Sequence, residues 1–291
     1  MKISCPDETG ILRHVLLKHP REAFLSGEAI NKQWKSLNYS SPPDLEESFQ
    51  EYEEFVRILE EFKILVDFLP EDRRTGLDSL YVRDAAVVTS RGIVLGSMGK
   101  QARSREVEAL EAYLRHRQIP VLGRITGEGR LEGGDVVRLD SDTLAVGLGY
   151  RTNREGISQL AEITQGFCRE IIEVPLPHWD GPKDVLHLMS FISPLAPGTA
   201  LIYSRMMPVF FRQILIERGF ELIEVTGPEF DMMACNVLAL APGKCLMLDG
   251  CPQTKALIEK NGIEVLTYSG KEISRKGAGG PTCLTLPLFR E

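Results

Sequence analysis

A single cysteine near the end of the chain stands in a setting that suits a nucleophile. Cys283 follows the glycine-rich segment "GAGGP", residues 277–281, and precedes "LTLPLF", which predicts a strand. Glycines let backbone and substrate approach closely, and this segment can form either a flexible lid or a nest of backbone N–H groups. A lone cysteine is also a common buried apolar residue, so the nucleophile interpretation requires a base and acids from elsewhere.

His187 is the histidine best placed to serve as that base. A strand through "DVLHLMSF" would point His187 away from the face that carries Leu186 and Leu188. A Cys–His pair yields a thiolate near neutral pH, and the imidazolium then acts as an acid. A histidine held in the core by its neighbours is the alternative.

Acidic residues occur in two short segments of the first half. "EGGD" contains Glu132 and Asp135, and "LDSLYVRD" contains Asp78 and Asp84. Buried carboxylates need a cationic partner, and a guanidinium ligand satisfies several of them through bidentate, charge-assisted hydrogen bonds. A plain turn between strands is the alternative for "EGGD".

Arginines follow two of the predicted strands. Arg103 in "QARSREVE" and Arg151 in "YRTNREG" each come just after the second strand of a unit. Either guanidinium can hold a substrate carboxylate, although arginines on a surface are the commoner case.

The polar residues recur at nearly constant intervals. Successive steps along Asp84, Asp135, His187, Asn236 and Cys283 are 51, 52, 49 and 47 positions. Each residue is expected at or just after the first strand of a unit. Radial symmetry would bring equivalent strand ends together at one end of an axis, so these distant residues would meet in one pocket.

The elements around these residues repeat as strand, turn, strand, amphipathic helix and strand. Such ββαβ units differ from the all-β blades of kelch and WD40 repeats. Joining the C-terminal strand to the N-terminal "ILRHVLLKHP" and the helix in "LEESFQEYEEFVRILEEF" closes a fifth unit. We therefore predict an α/β fold of repeated units around a central axis, with coincidental spacing in an ordinary α/β domain as the alternative.

Composition narrows the function classes. The chain has 291 residues and a net charge of -7, which disfavours a nucleic-acid partner and suits a small cationic substrate. Six cysteines without a C-x-x-C pair disfavour a disulfide scaffold, and no metal-ligand motif occurs. An N-terminus without an apolar signal core and the lack of a run near ~20 apolar residues indicate a cytosolic protein without a membrane partner.

Four ordered motifs resemble the guanidino-modifying superfamily, which includes dimethylarginine dimethylaminohydrolases, arginine deiminases and amidinotransferases. They are "EGGD", "YRTN", "LHLMS" and "GGPTCLTLPL", and the resemblance covers nearly the whole chain. It implies a five-bladed αβ-propeller, or pentein, of ββαβ repeats around a pseudo-fivefold axis. Residues 1–291 would then form a single catalytic domain.

The resemblance also implies roles for individual residues. Cys283 resembles the nucleophile, His187 the general acid and base, Glu132 the acid that contacts substrate and histidine, and Asp84 the carboxylate that grips the guanidinium. The residues that resemble substrate-positioning groups of the dimethylarginine hydrolases are Asp78, Arg103 and Arg151. The implied reaction is covalent, passes through a thiouronium intermediate and needs no cofactor; a small guanidino compound is the partner, and a homodimer is left open.

The identity of the guanidine stays open at this point. Arg83 in "YVRD" is closer to the "TRD" of deiminases than to the "FVED" of dimethylarginine hydrolases, but Met189 and Ala278 stand where deiminases have aspartate and arginine. The chain also lacks the helical insertion of deiminases. Hydrolysis of an N-methylated arginine is the favoured prediction, with arginine deiminase, amidinotransferase and a non-enzymatic, ribosome-associated propeller as alternatives.

Overall fold

Five small sheets of three strands each form the protein. The computed structural model describes residues 2–184 and 186–291. Their strands are β1 (Leu12–Leu17), β2 (Leu65–Phe68), β3 (Ala86–Val88), β4 (Ile93–Leu95), β5 (Val121–Arg124), β6 (Val136–Arg138), β7 (Thr143–Leu148), β8 (Glu170–Pro175), β9 (Ile192–Ala196), β10 (Thr199–Ile202), β11 (Glu221–Glu224), β12 (Leu238–Ala241), β13 (Lys244–Leu248), β14 (Glu264–Tyr268) and β15 (Leu286–Arg290).

One or more helices connect the second and third strands of each sheet, and one further short helix lies between β11 and β12. The helices are α1 (Pro20–Phe24), α2 (Gly27–Gln33), α3 (Leu45–Glu61), α4 (Glu106–His116), α5 (Arg154–Thr164), α6 (Val209–Glu217), α7 (Gly227–Phe230) and α8 (Pro252–Lys260). In every sheet the middle strand pairs antiparallel with one neighbour and parallel with the other, and a parallel pair requires such a crossover. The predicted ββαβ unit is therefore confirmed.

The five units close into a ring. The fifth unit joins the two ends of the chain, because β15 pairs antiparallel with β1 and β1 pairs parallel with β2. Contacts then run from β15 to β3, from the turn before β3 to the turn before β6, from there to the turn before β9, from β9 to β12, and from β12 to β1. The predicted five-bladed αβ-propeller is confirmed.

Helix α3 supports the segment that leads to Cys283. Asp44 caps its first turn by accepting the Glu47 N–H, and Tyr52 and Phe55 on its apolar face are fully buried. On its other side the Glu51 carboxylate accepts backbone N–H groups of the π-helical turn Lys271–Arg275. This contact anchors the start of the glycine-rich segment.

The polar residues of the repeat lie just before the first strands, and the predicted position at or just after those strands was wrong. Asp84 and Asp135 fall in 3₁₀ turns that lead into β3 and β6. His187 was predicted on a strand, but it precedes the 3₁₀ turn Leu188–Ser190. A turn forms here in place of a strand because the Ser190 hydroxyl accepts the His187 N–H and Asp135 accepts the Leu188 N–H.

Among the described residues, every helix falls short of the length and apolarity that crossing a bilayer requires.

We expect Asn153→Ala to destabilise the fold. Asn153 Oδ1 accepts N–H groups from Gly156 in α5 and from Arg130, both at 2.9 Å, and its Nδ2 donates to the Glu128 carbonyl at 2.8 Å. Losing the cap and the loop contacts should lower the free energy of unfolding by about 1–2 kcal/mol in urea titrations. Asn153→Asp keeps both acceptor contacts and should lose less, and an unchanged midpoint for the alanine variant would contradict this account.

Candidate active site

A cavity of about 360 Å³ opens where the turns before the inner strands, β3, β6, β9, β12 and β15, meet. Segments from all five units contribute to its wall, as the spacing of the polar residues predicted. Six of the seven predicted site residues line it, and Glu132 lies directly behind one of them. The six are Asp78, Asp84, Arg103, Arg151, His187 and Cys283.

The Cys283 sulfur lies in the cavity wall and is held by an amide. The Nδ2 of Asn236 donates to Sγ at 3.2 Å, and Asn236 Oδ1 accepts both the backbone N–H and the hydroxyl of Thr282 at 3.1 and 2.7 Å. Burial raises the pKa of the Cys283 thiol and the charge of Asp84 adds to this, whereas the hydrogen bond from Asn236 opposes it. The free protein therefore favours the thiol over the thiolate.

The glycines before Cys283 serve close packing. A Cβ on Gly279 would lie 2.3 Å from the Tyr81 ring, and one on Gly280 would lie 2.5 Å from Cγ of Asn236. Since real Cβ atoms do not approach that closely, glycine is required for Asn236 to reach the sulfur.

His187 is buried between two carboxylates. Its Nε2 is 2.7 Å from Glu132 Oε2, and its Nδ1 is 3.7 Å from Asp84 Oδ1. Burial by itself lowers the pKa of His187, but the charges of Asp84 and Asp135 and the hydrogen bond with Glu132 outweigh burial and raise it to about 9. The imidazole is therefore cationic at neutral pH.

Glu132 is fully buried and fully partnered. Its Oε1 accepts the backbone N–H groups of Gly99 and Lys100 at 2.9 and 3.3 Å, and its Oε2 pairs with His187 and, at 3.3 Å, with Arg151. Burial raises its pKa, but the hydrogen bond and charge of His187, with Arg151, bring the pKa down to about 2. Glu132 is an ionised anchor for the imidazolium ring.

Arg103 was predicted to hold a substrate carboxylate, but its guanidinium contacts residues of the chain itself. Its guanidinium pairs with Asp84, binds Glu106 through Nε and Nη2 at 2.8 to 3.1 Å, and donates to the carbonyls of Tyr81 and Asp78. At 3% exposed it belongs to the cavity wall, with almost none of its side chain accessible. This geometry orients the Asp84 carboxylate and leaves Arg103 little capacity for a ligand.

Lys100 is a cavity residue that the sequence reasoning missed. Its Nζ lies 2.6 Å from Asp78 Oδ2 and donates to the Leu37 carbonyl at 2.9 Å. Its one signal was its place in the same loop as Arg103. Asn236 was recognised by its spacing but was given no role, because an asparagine in an apolar segment carries no signal of contact with a distant sulfur.

The "EGGD" segment is both a turn and part of the site. Gly134 donates its N–H to Asp84 Oδ1 at 3.2 Å, and a Cβ on Gly134 would lie 2.5 Å from His187 Nδ1. Burial raises the pKa of Asp135 to about 6, and Asp135 fixes the backbone after His187.

One donor atom from each of Asp84, Glu132 and His187 lies within 4.8 Å of the others, so the three residues could hold a metal ion. Arg103 and Arg151 already neutralise the two carboxylates, and His187 bonds Glu132 through the nitrogen that faces it. The arrangement favours binding a flat organic cation above Asp84, next to a sulfur and a proton-bearing imidazole.

Comparison with known proteins agrees with this chemistry. The sequence profile of the family described as "N,N dimethylarginine dimethylhydrolase, eukaryotic" matches residues 21–290. An arginine deiminase of Listeria monocytogenes is 29% identical over 80% of the chain, which spans 64% of that enzyme's length.

A dimethylarginine dimethylaminohydrolase of Pseudomonas aeruginosa is 24% identical, and the match covers 95% of the chain and 99% of that enzyme. A solved structure of the enzyme from that bacterium, in a cysteine-to-serine variant complexed with citrulline, superposes with a TM-score of 0.78 at 25% identity. That superposition covers 95% of this chain and 99% of the other.

We expect Asn236→Ala to slow alkylation of Cys283. The substitution removes the one side-chain amide that donates to the sulfur, so the pKa of the thiol rises further and, at fixed pH, iodoacetamide should react roughly tenfold more slowly. Mass spectrometry resolves Cys283 from half-buried Cys168, which serves as the internal control. Thr282→Val frees the amide without deleting it and should have a smaller effect; equal rates in all three proteins would contradict the assignment.

Proposed function

Because the chain belongs to the family of N,N dimethylarginine dimethylhydrolases, we propose that it cleaves an N-methylated arginine to citrulline and a methylated amine. The family and its relatives indicate a hydrolase acting on C–N bonds of guanidino groups. The observation that carries the proposal is the shared cavity, in which Cys283, the His187–Glu132 pair and Asp84 surround one space.

Asp84 and Asp78 are the groups that receive the substrate cation. The Asp84 carboxylate is held in place by Arg103, and Asp78 by Lys100, so each presents a fixed oxygen to planar N–H donors. Arg151, which pairs with Glu132, is the cavity guanidinium best placed to meet a substrate carboxylate. Arg103 is a positioning residue for Asp84 in this proposal.

In the first half-reaction the Cys283 thiolate attacks the central guanidinium carbon. A C–S bond forms, the electron pair moves onto a substrate nitrogen, and the thiolate charge is lost. His187 gives a proton to the leaving amine as the C–N bond breaks, using Nδ1 because Nε2 is bound to Glu132. A thiouronium group on Cys283 and a neutral imidazole remain.

In the second half-reaction His187 takes a proton from water as the water oxygen attacks the thiouronium carbon. The C–S bond then breaks and the sulfur leaves as the thiolate, while the remaining hydroxyl proton of the adduct passes through solvent to the released amine and the neutral ureido product forms. Glu132 keeps the imidazole oriented throughout and balances its charge. Cys283 and His187 end in their starting states, so one turnover consumes one water molecule.

Arginine deimination is the second candidate. It uses the same steps with ammonia as the leaving group, and the deiminase relatives and Arg83 in "YVRD" favour it. Met189 and Ala278, which differ from the deiminase pattern named above, favour the methylated substrate. Transfer of the amidino group to an amine in place of water would make the protein an amidinotransferase.

A panel of guanidines tests the proposal directly. Asymmetric dimethylarginine, monomethylarginine, arginine and agmatine are each incubated with the protein, and ureido product and released amine are quantified by mass spectrometry. We expect citrulline with dimethylamine or methylamine; citrulline with ammonia would support the deiminase instead.

Cys283→Ser should lose at least about 10³-fold in kcat while keeping the wild-type unfolding midpoint, because the hydroxyl is a much weaker nucleophile. Cys168→Ser is the matched control. Turnover that survives in the Cys283 variant would remove this sulfur as the nucleophile.

The pH dependence of kcat/KM should have two limbs. Burial raises the pKa of Cys283 above its ordinary value and that of His187 is about 9, so the reactive pair of thiolate and imidazolium should increase with pH until His187 begins to lose its proton near pH 9. The rate should level off there and fall only above the raised pKa of Cys283. Glu132→Gln removes a negative charge next to the imidazolium and lowers its pKa, so the rising limb should level off at lower pH. Glu128→Gln, an exposed neighbour in sequence, is the control; a rising limb that levels off at the same pH in the Glu132 variant would contradict the pairing.

A further inference from the structure

A second, much smaller cavity lies along the inner strands. It measures about 20 Å³, room for roughly one sphere of water size. Its wall is built from β3, β6, β7, β15 and the N-terminal segment, and it includes the side chains of Cys5, Glu8, Arg83, Arg138 and Arg290.

Positive charge dominates this wall. Three arginines face one carboxylate, and arginine cannot shed its proton inside a protein. Glu8 binds Nη2 of Arg83 at 2.9 and 3.1 Å, and thus neutralises that guanidinium. Arg138 and Arg290 have no ion-pair partner among residues 2–184 and 186–291.

Arg290 also carries an unused donor. The residue is 2% exposed, and its two terminal nitrogens donate to the carbonyls of Gly10 and Ala239 at 2.7 and 2.9 Å. Its Nε finds no hydrogen-bond partner in the described part of the chain. A buried guanidinium with an unpaired N–H is costly, and an anion is the group that removes this cost.

Arg138 is nearly as poorly satisfied. It is 4% exposed, and the one side-chain hydrogen bond found for it in the described residues is a long one, 3.4 Å, to the Ser141 carbonyl. Its guanidinium therefore has N–H groups available toward the same cavity.

Cys5 does not supply the missing negative charge. Burial raises the pKa of this thiol to about 12, although the charge of Arg290 opposes the rise, and Sγ lies 3.5 Å from the Pro287 carbonyl. Cys5 is a neutral thiol at any physiological pH, so the two unpaired arginines keep their charge.

We propose that this cavity binds one small monovalent anion of the size of chloride between Arg138 and Arg290. The volume suits a single spherical ion and is too small for a phosphate or an organic carboxylate. The arginine pair supplies the donors, and the apolar side chains of Val87, Val136 and Leu286 form part of the wall, where the attraction between charges is stronger than in bulk water.

The site does not rest on the proposed catalytic function. Arg138 and Arg290 stand at the ends of β6 and β15, whereas the reactive groups precede those strands. An ion at the strand ends would stabilise three units of the ring at once, namely those of β3, β6 and β15.

Thermal unfolding in defined salts is the first test. The full chain is transferred into sodium gluconate, whose anion is too large for the cavity, and chloride or bromide then replaces gluconate at constant ionic strength. We expect a saturable rise in Tm with halide concentration, as for any ligand that binds only the folded state. Equal Tm values in chloride and gluconate would overturn the proposal.

Two variants with opposite expected effects on chloride binding make this test more specific. Arg138→Met removes a charge-assisted donor and should weaken chloride binding by about tenfold or more. Glu8→Gln removes the one carboxylate of the wall and should tighten chloride binding. A merely structural role for these residues does not predict this change. Arg73→Met, on the exposed surface, is the control and should leave the chloride response unchanged.

Crystals grown in gluconate and soaked in bromide decide the location even if the variants do not fold. An anomalous difference peak between the Arg138 and Arg290 guanidinium groups is expected. Bromide peaks found only on the surface, with none in the cavity, would overturn the proposal.

Discussion

A row of alternating charges beneath the larger cavity is the interaction on which the candidate site depends. It runs from Glu106 through Arg103 to Asp84, and from there past His187 to Glu132 and Arg151, with every member buried. Each charge is offset by a neighbour of opposite sign, so removing one leaves its partner uncompensated at a cost of about 3–5 kcal/mol. The row therefore holds the carboxylates and the imidazole in fixed positions.

The ring of five units makes such a row possible. Its members come from two neighbouring units and from the turn that begins a third. Glu106 is the first residue of α4, and the others lie in turns before the first strand or after the second strand of a unit. Short sheets of three strands are rigid enough to hold these turns in register, while the turns free the backbone N–H groups of Gly99, Lys100 and Gly134 to bind carboxylates. The scaffold contributes donors as well as positions.

Much of this was predictable from the sequence, and what was not has a physical reason. The interval of about 50 positions between polar residues and the ββαβ pattern predicted the ring, because the first recurs along the chain and the second follows from local apolar periodicity. The same periodicity misplaced His187 on a strand: the hydroxyl of Ser190 and the carboxylate of Asp135 decide its turn, and Asp135 comes from another unit.

The sequence also could not predict which residues Arg103 contacts. An arginine three residues before Glu106 fits a surface pair as well as a buried clamp on Asp84. Only the fold brings Asp84 to it. The contact of Asn236 with Cys283 has the same origin, since it spans 47 positions and depends on glycine at 280.

The electrostatics of the larger cavity connect recognition to reactivity. In the free protein, burial and the Asp84 charge keep Cys283 protonated, so the sulfur is protected while no cation is present. A guanidinium held by Asp84 would cancel the charge that raises the thiol pKa and place its own positive charge near the sulfur. Both changes favour the thiolate. A neutral urea or an acidic ligand would bring neither. Under the proposed function, the positive charge of the substrate would therefore serve both for selection and for activation of the nucleophile.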